Sequence, residues 1–343
     1  MNITTYGLDL AKQVFQVHWV DVTTGEVKRK TLKRTQVSAF FAKAERGVVA
    51  MEACGSAHHW GRLLRTLGHE VKLIAAQFVR PFVKTNKTDA ADAQAIWEAA
   101  QRPDMHFVSV KSEEQQAVLS LHRLRSQCVS IRTQQANQIR GLLYEFGIVV
   151  ALGWRSVLKA VPQLTDEVPT LLRTELLEQL EALRTATARI DALEKQLASW
   201  QRAEPECQRL MAIPGVGPLT ATAVVASVAD ARQFRSARQF AAYLGLVPRQ
   251  SGTGGRVKLL GISKRGDPYL RTLLILGARS VLRSQSRRGC SGDPWLAELL
   301  GRRPNNVVVV ALANKMARTI WALLAHQRTF DAHWHRGVTQ AAA

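Results

Sequence analysis

The order of apolar runs in the first hundred residues restricts this chain to few folds. Residues 2–11 read as a strand. Val14, Val17 and Trp19 fall in a second strand, which turns at Thr23-Thr24-Gly25-Glu26 into a third over 27–32. The turn residues and short spacing predict a hairpin. Residues 38–45 read as a helix, 48–51 as a buried strand, 58–67 as a helix, 71–74 as a strand and 89–100 as a helix. Parallel strands in such an α/β arrangement aim their C-terminal ends at one edge, where ligands collect.

Four carboxylates stand at marked points of that order. Asp9 lies in the first strand, Glu52 ends the run Val48-Val49-Ala50-Met51, and Asp89 and Asp92 open an alanine-rich helix in Lys87-Thr88-Asp89-Ala90-Ala91-Asp92-Ala93. A separation of three residues puts Asp89 and Asp92 on one helical face. Three strands, helix, strand, helix, strand, helix is the element order of the RNase H-like fold. In it the first strand, the end of the fourth and the last helix bring these acids to one metal site. Magnesium takes a few carboxylates plus waters and substrate phosphates. Two such ions clamp the attacking and leaving oxygens of a phosphoryl transfer. Any one acid next to a strand is ordinarily a surface residue or a cap. The set, in this order, points to metal-dependent chemistry.

Charge points to the same partners. The chain has 343 residues, with 47 Lys+Arg against 27 Asp+Glu and a formal net charge of +20. Such an excess repels itself and is best explained by a polyanionic partner. Membrane attachment is not expected: Met1 to Asp9 already holds polar residues and an acid, and the run Val307-Val308-Val309-Val310-Ala311-Leu312 is too short to span a bilayer. The expected location is cytoplasmic and nucleoid-associated. Cys54, Cys128, Cys207 and Cys290 are far apart and form neither a zinc motif nor a disulfide framework.

From Ser112 the pattern changes. Leu121, Leu124, Cys128, Ile131, Ile139, Leu142 and Phe146 form one helical stripe, ended by Gly147 and Gly153. Leu176, Leu180, Leu183, Ile190, Leu193, Leu197 and Trp200 form another, interrupted by Thr187. Together they predict an antiparallel helical hairpin or coiled-coil arm, with Gln135 near the seam. Such an arm either joins protomers or spaces two domains. Glu204-Pro205-Glu206 then opens a third, mainly helical region. The expected domains are 1–110 (α/β), 111–204 (helical arm) and 205–330 (mainly α), with a tail over 331–343.

Two motifs in the third region carry chemistry. Leu210-Met211-Ala212-Ile213-Pro214-Gly215-Val216-Gly217-Pro218 reads as helix, glycine turn and helix. Gly215 and Gly217 permit positive φ and a close approach to phosphate, with exposed amides at the next helix start. This is either a helix-hairpin-helix for DNA backbone contact or a structural αα-turn. The second motif is a glycine-rich loop, Pro248-Arg249-Gln250-Ser251-Gly252-Thr253-Gly254-Gly255, followed by Arg256, Lys258, Lys264, Arg265, Arg271, Arg279, Arg283, Arg287 and Arg288 against one acid, Asp267. These cations suit phosphate. A serine there is ordinarily a turn residue, but cationic neighbours would also stabilise a nucleophilic alkoxide.

The joint order of Gly7-Leu8-Asp9, Met51-Glu52, Asp89-Ala90-Ala91-Asp92-Ala93, Ile213-Pro214-Gly215-Val216-Gly217, Leu244-Gly245-Leu246-Val247-Pro248, Gly261-Ile262-Ser263-Lys264-Arg265-Gly266-Asp267 and Tyr269-Leu270-Arg271 resembles one family over residues 3–325. It is similar to the DEDD-type transposases of insertion-sequence family one hundred and ten, subgroup eleven hundred and eleven. The resemblance implies a RuvC-like domain, a coiled-coil arm and a C-terminal transposase domain with a catalytic serine. By this likeness Asp9, Glu52, Asp89 and Asp92 are the four acids, with magnesium as cofactor. Ser251-Gly252 fits the serine by type, and Thr253 is the alternative hydroxyl. The partners implied are donor and target DNA, a structured non-coding guide RNA and further copies of the chain. Two rival functions use the same residues: a Holliday-junction-type structure-specific endonuclease that employs water, and a catalytically inactive DNA-binding regulator.

Overall fold

Tyr6 and Leu8 point to one side of strand β1 (Thr5–Asp9) and are buried, whereas Gly7 and Asp9 point to the other. That alternation organises the N-terminal part of the computed structural model, which describes residues 3–83, 89–288 and 293–331. Lys87, Thr88, Cys290 and the tail from residue 332 lie outside the described residues, as do the side chains of Arg287 and Arg288.

Strand β2 (Val14–Val20) pairs antiparallel with β1, and β3 (Val27–Lys33) pairs antiparallel with β2. After helix α1 (Val37–Lys43), strand β4 (Val48–Glu52) joins β1 in parallel. Helix α2 (Ala57–Thr66) then leads to β5 (Glu70–Ile74), parallel to β4. A short helix α3 (Ala76–Val79) precedes α4 (Asp89–Ala100), and β6 (Phe107–Val108) closes the far edge. The sheet order is β3-β2-β1-β4-β5-β6. This is the mixed α/β sheet of the RNase H-like fold, as the element order predicted. The first strand is shorter than its apolar run. Helix α3 and strand β6 were missed because four and two residues are too few to show a period.

The sheet has two cores. Leu8, Phe15, Val17, Leu32, Met51 and Leu73 pack with Val37 and Phe41 of α1 and Trp60 and Leu64 of α2 on one face. Ala50 and Ile74 pack with Ala95, Ile96 and Ala99 of α4 on the other. Gly7 is what lets α4 approach: a Cβ there would lie 2.3 Å from the Ala93 carbonyl oxygen and 2.8 Å from the Trp97 Cβ.

The chain divides into two compact units. Met1–Gln116 and Ser227–Arg235 form the first, where Ser109 Oγ donates to Gln233 Oε1 at 3.4 Å. Ala117–Ala226 and Ser236–Ala343 form the second, so the long helices share a unit with the C-terminal region. They are α5 (Glu113–Glu145), α6 (Trp154–Leu164) and α7 (Thr170–Ala203). α5 and α7 run antiparallel: Val118 clusters with Leu197, the Arg125 guanidinium meets Glu194 at 2.6 Å, and Ile139 clusters with Leu180 and Leu183.

Two details depart from the predicted arm and one agrees with it. Helix α6, absent from the two-stripe reading, packs Val157 and Val161 into the same core. Thr187 does interrupt the buried stripe, as expected, without breaking α7; its hydroxyl donates to the Leu183 carbonyl at 2.9 Å. The buried face of α5 is Val118, His122, Ala136, Ile139 and Leu143, while Leu124, Ile131 and Phe146 are exposed. Polar residues complete that face: Arg125 has its ion pair, the Arg132 guanidinium lies 4.5 Å from the Trp154 ring, and Gln135 Oε1 is buried without a hydrogen bond among the described residues.

The rest of the second unit comprises α8 (Pro205–Met211), α9 (Pro218–Ser227), α10 (Ala237–Tyr243), strands β7 (Pro248–Thr253) and β8 (Arg256–Ile262), α11 (Pro268–Arg288), α12 (Pro294–Arg302) and α13 (Asn305–His326). The short valine run is therefore the start of a 22-residue helix, long and apolar enough to cross a membrane. Here Val308, Leu312, Ala313, Ala317 and Ile320 are buried and the helix packs with α8, α10, α11 and α12.

Candidate active site

Asp9 stands at the C-terminal end of β1 on the face that α4 covers. Leu8 pairs with Met51 in parallel register, so Glu52 follows at the same sheet edge and faces the same side. Asp89 and Asp92 occupy the first turn of α4. One carboxylate oxygen from each of Asp9, Asp89 and Asp92 lies within 4.8 Å of the others. Glu52 stands outside that trio, yet its charge reaches Asp9. The structure thus brings the four acids to one sheet edge, three of them at ligand spacing.

The cost of this crowding shows on Asp9. Burial first, then the charges of Asp92, Asp89 and Glu52, push its carboxyl up to about 6, against a smaller downward pull from the Leu10 backbone. A half-buried carboxylate among three like charges is stabilised by a cation. The donor set is all oxygen, which suits a hard divalent ion.

The hydroxyl proposed from the glycine-rich segment is placed differently from the expected loop. Residues 248–262 form an antiparallel hairpin in which Ser251 is a strand position opposite Lys258, and Thr253 pairs with Arg256. Only Gly254 and Gly255, at φ +57° and +78°, make the turn. Every residue of β7 is exposed, and Val257 and Leu259 of β8 are 65% and 63% exposed.

The comparisons fall on these two regions. Residues 207–290 match the family described as "Transposase IS116/IS110/IS902 family", and residues 6–148 match a DEDD-type IS110 family described as "Transposase". The "Probable family 20 transposase" of Pseudomonas aeruginosa is 54% identical over 335 residues, 96% of this chain and 99% of its own. The "Transposase for insertion sequence element IS1111A" of Coxiella burnetii is 43% identical, covering 96% of this chain and 92% of its own. That for element IS1328 of Yersinia enterocolitica is 40% identical, covering 96% and 99%. The chain belongs to the IS110 family of transposases. The IS1111A and IS1328 relatives support its IS1111 subgroup.

In the transposase, the glycine turn before α9 serves packing at one position and stays open at the other. Gly215 has φ +87°, and a Cβ there would meet the Gly277 carbonyl oxygen of α11 at 2.8 Å. Gly217, contrary to expectation, is not among the positive-φ residues, and nothing lies within 4 Å of a Cβ placed on it. Helix α9 is a core helix, buried from Thr220 to Ala226. Arg256, Lys258, Lys264 and Arg265 are exposed, as a phosphate contact needs. Arg271 is instead half-buried, with its Nη1 donating to the carbonyls of Leu244 at 3.1 Å and Arg265 at 3.2 Å.

Sequence reasoning missed two supports of these sites. Gly7 seats α4 beside Asp9, and the available signal was a glycine within a strand. His122 joins α5 to α9 and α11: its Nε2 contacts Thr222 Oγ1 at 3.0 Å and its Nδ1 the Tyr269 hydroxyl at 2.9 Å. Thr222 donates its own proton to the Pro218 carbonyl at 2.7 Å, which makes Nε2 the donor and Nδ1 the acceptor.

Proposed function

We propose that this transposase cuts and rejoins DNA to mobilise its insertion sequence with magnesium held by Asp9, Asp89 and Asp92, assisted by Glu52, and with Ser251 as nucleophile. The observation that carries the metal assignment is the three-carboxylate spacing within 4.8 Å around an Asp9 carboxyl already pushed up to about 6. Bound there, magnesium neutralises charge developing on phosphoryl oxygens. Asp9 and Glu52 are fixed by adjacent strands, whereas Asp89 and Asp92 are carried by the docking of α4, so the site depends on both.

Ser251 Oγ would form a bond to phosphorus as the bond to one sugar oxygen breaks. The proton lost from the hydroxyl matches the one taken up by the departing oxygen, and the serine ester conserves the bond for rejoining. Residues directly opposite in an antiparallel pair share a face. The Lys258 ammonium is therefore a neighbour of Ser251, suited to the charge of a phosphorane.

The partners follow the same reading. The net charge of +20 suits DNA and a structured guide RNA, and Leu124, Ile131 and Tyr144 leave apolar surface on α5 for a homo-oligomer. Gly217, Arg256, Lys258, Lys264 and Arg265 are the proposed phosphate contacts of the second unit. Gly215 packs the turn that carries Gly217, and Arg271 ties together the two ends of the segment that carries the four cations, at Leu244 and Arg265.

A suicide DNA substrate tests the chemistry, incubated with the element's flanking non-coding RNA and magnesium. A protein–DNA adduct should form, disappear in Ser251→Ala and persist in Thr253→Ala. Adduct loss only in Thr253→Ala would move the role to that hydroxyl. Cleavage without any adduct would assign the chemistry to water.

A further inference from the structure

Strand β3 forms one edge of the six-stranded sheet and carries Lys28, Arg29, Lys30 and Lys33 among its seven residues. Edge strands often use lysine simply to block pairing with other chains. The register separates that role from another. Asp9 pairs with Gln16, and Gln16 pairs with Thr31, so these three side chains form one row across β1, β2 and β3. Arg29 and Lys33 flank Thr31 on the same face, two residues to either side. Lys28 and Lys30 point to the opposite face, where Leu32 enters the core.

The two faces use their cations differently. Lys28 is held by Asp21 at 2.7 Å, and the Lys30 ammonium lies over the Phe40 ring at 5.1 Å. On the Asp9 face, Arg29 makes one hydrogen bond to Gln94 of α4 at 3.0 Å, and it remains exposed. Lys33 is exposed and has no ion pair among the described residues. Thr31 donates to Gln16 Oε1 at 3.0 Å, which leaves the Gln16 amide hydrogens without a protein acceptor among the described residues. A strip of donors and cations, half-buried at Gln16 and exposed at Thr31, Arg29 and Lys33, thus begins beside the acids and runs to the sheet edge. Two interstrand spacings, about 10 Å, separate Asp9 from Thr31.

We infer that this strip, Gln16, Thr31, Arg29 and Lys33, is a binding track for the sugar–phosphate backbone of the strand that enters the Asp9 site. The inference rests on the reading of that site as a phosphodiester-cutting centre. Gln16 and Thr31 hold the backbone nearest the acids, and Arg29 and Lys33 neutralise the phosphates beyond. Lys28 and Lys30 take no part, although they are on the same strand.

Matched charge removal tests this in the full-length protein. One variant carries Arg29→Gln and Lys33→Gln, the other Lys28→Gln and Lys30→Gln, so both lose two positive charges. Affinity is measured against fluorescent single-stranded DNA and RNA of one sequence across a salt series, with thermal melts to confirm folding. The first variant should flatten the log–log salt slope by about 1.4 units, two phosphates at roughly 0.7 each for a single strand. The second should leave the slope unchanged. Whichever oligonucleotide shows the difference identifies the strand that uses the track. Equal effects from both variants, or none from either, would overturn the proposal. Magnesium-dependent cleavage of DNA by the wild type is followed separately: cleavage with no face-selective slope sinks the track alone, and a face-selective slope without cleavage sinks the reading of the acids alone.

Discussion

Asp9→Asn should make the metal-free transposase more stable at pH 8, although it removes the central acid of the site. The wild-type carboxyl is pushed up to about 6 by burial and by Asp92, Asp89 and Glu52, from an ordinary value of 3.8. The folded state therefore holds a proton that the unfolded chain releases between those values. Its stability is full below pH 4 and falls as pH rises through 6. The shift of about two pH units corresponds to about 3 kcal/mol at full weight. Asp9 is only half-buried, and solvent screening reduces this to about 1–2 kcal/mol. Asparagine never ionises, so the variant should gain that amount at pH 8 and nothing at pH 3.5. For 343 residues unfolding together, at roughly 2.1 cal/mol/K of unfolding entropy per residue, the gain is about 1–3 °C in Tm. Millimolar magnesium should reverse the ranking, because the wild type gains a ligand and the variant loses one. Thermal melts from pH 3.5 to 8, in chelator and in magnesium, give all the comparisons. A variant less stable than wild type at pH 8 in chelator would refute the like-charge argument, and equal stabilisation of both by magnesium would refute the metal assignment.

Other perturbations separate support from chemistry. Gly7→Ala should force α4 away from the Ala93 contact, destabilise the first unit by about 1–3 kcal/mol, and slow DNA cleavage by about 100-fold if the acids move by roughly 1 Å, read by melts and single-turnover assays. His122 is held down to about 4 by burial and by Arg125, so its contribution is complete above pH 6.5 and lost as pH falls to 4. His122→Gln should remove about 3 kcal/mol of that pH dependence in urea melts, and an unchanged slope would refute the neutral buried imidazole. The Cys207 thiol is buried and pushed up to about 12, so it should resist alkylation at pH 8 while Cys54 and Cys128 react, as measured by peptide mass spectrometry.

The parts legible in the sequence were those whose burial is apolar and uninterrupted. Val48 to Met51 is buried at every position, and Asp89–Ala100 is a helix with the bounds its alanines suggested. The acids were readable because the strand ends that carry them are fixed by such runs. The register of α5 was not, since His122, Arg125 and Arg132 complete its inner face and any hydrophobic period passes over them. The hairpin around Ser251 was hidden for the opposite reason. None of β7 is buried, so no alternation exists to betray a strand, and its glycines read as a loop.

The segment Ser227–Arg235 belongs to the unit that begins at Met1, yet about 110 residues of the other unit precede it in the chain. Ribosomes add roughly 5–20 residues per second, so this last piece arrives about 5–20 s after the rest of its unit. During that interval the nascent chain already displays all four carboxylates, but Ser109 has no Gln233 to bond and Asp104 has no Arg235 beside it. A ribosome that stops before Arg235 releases the acids without the segment that completes their unit. The order of synthesis thus makes completion of the acid-bearing unit follow synthesis of the long helices.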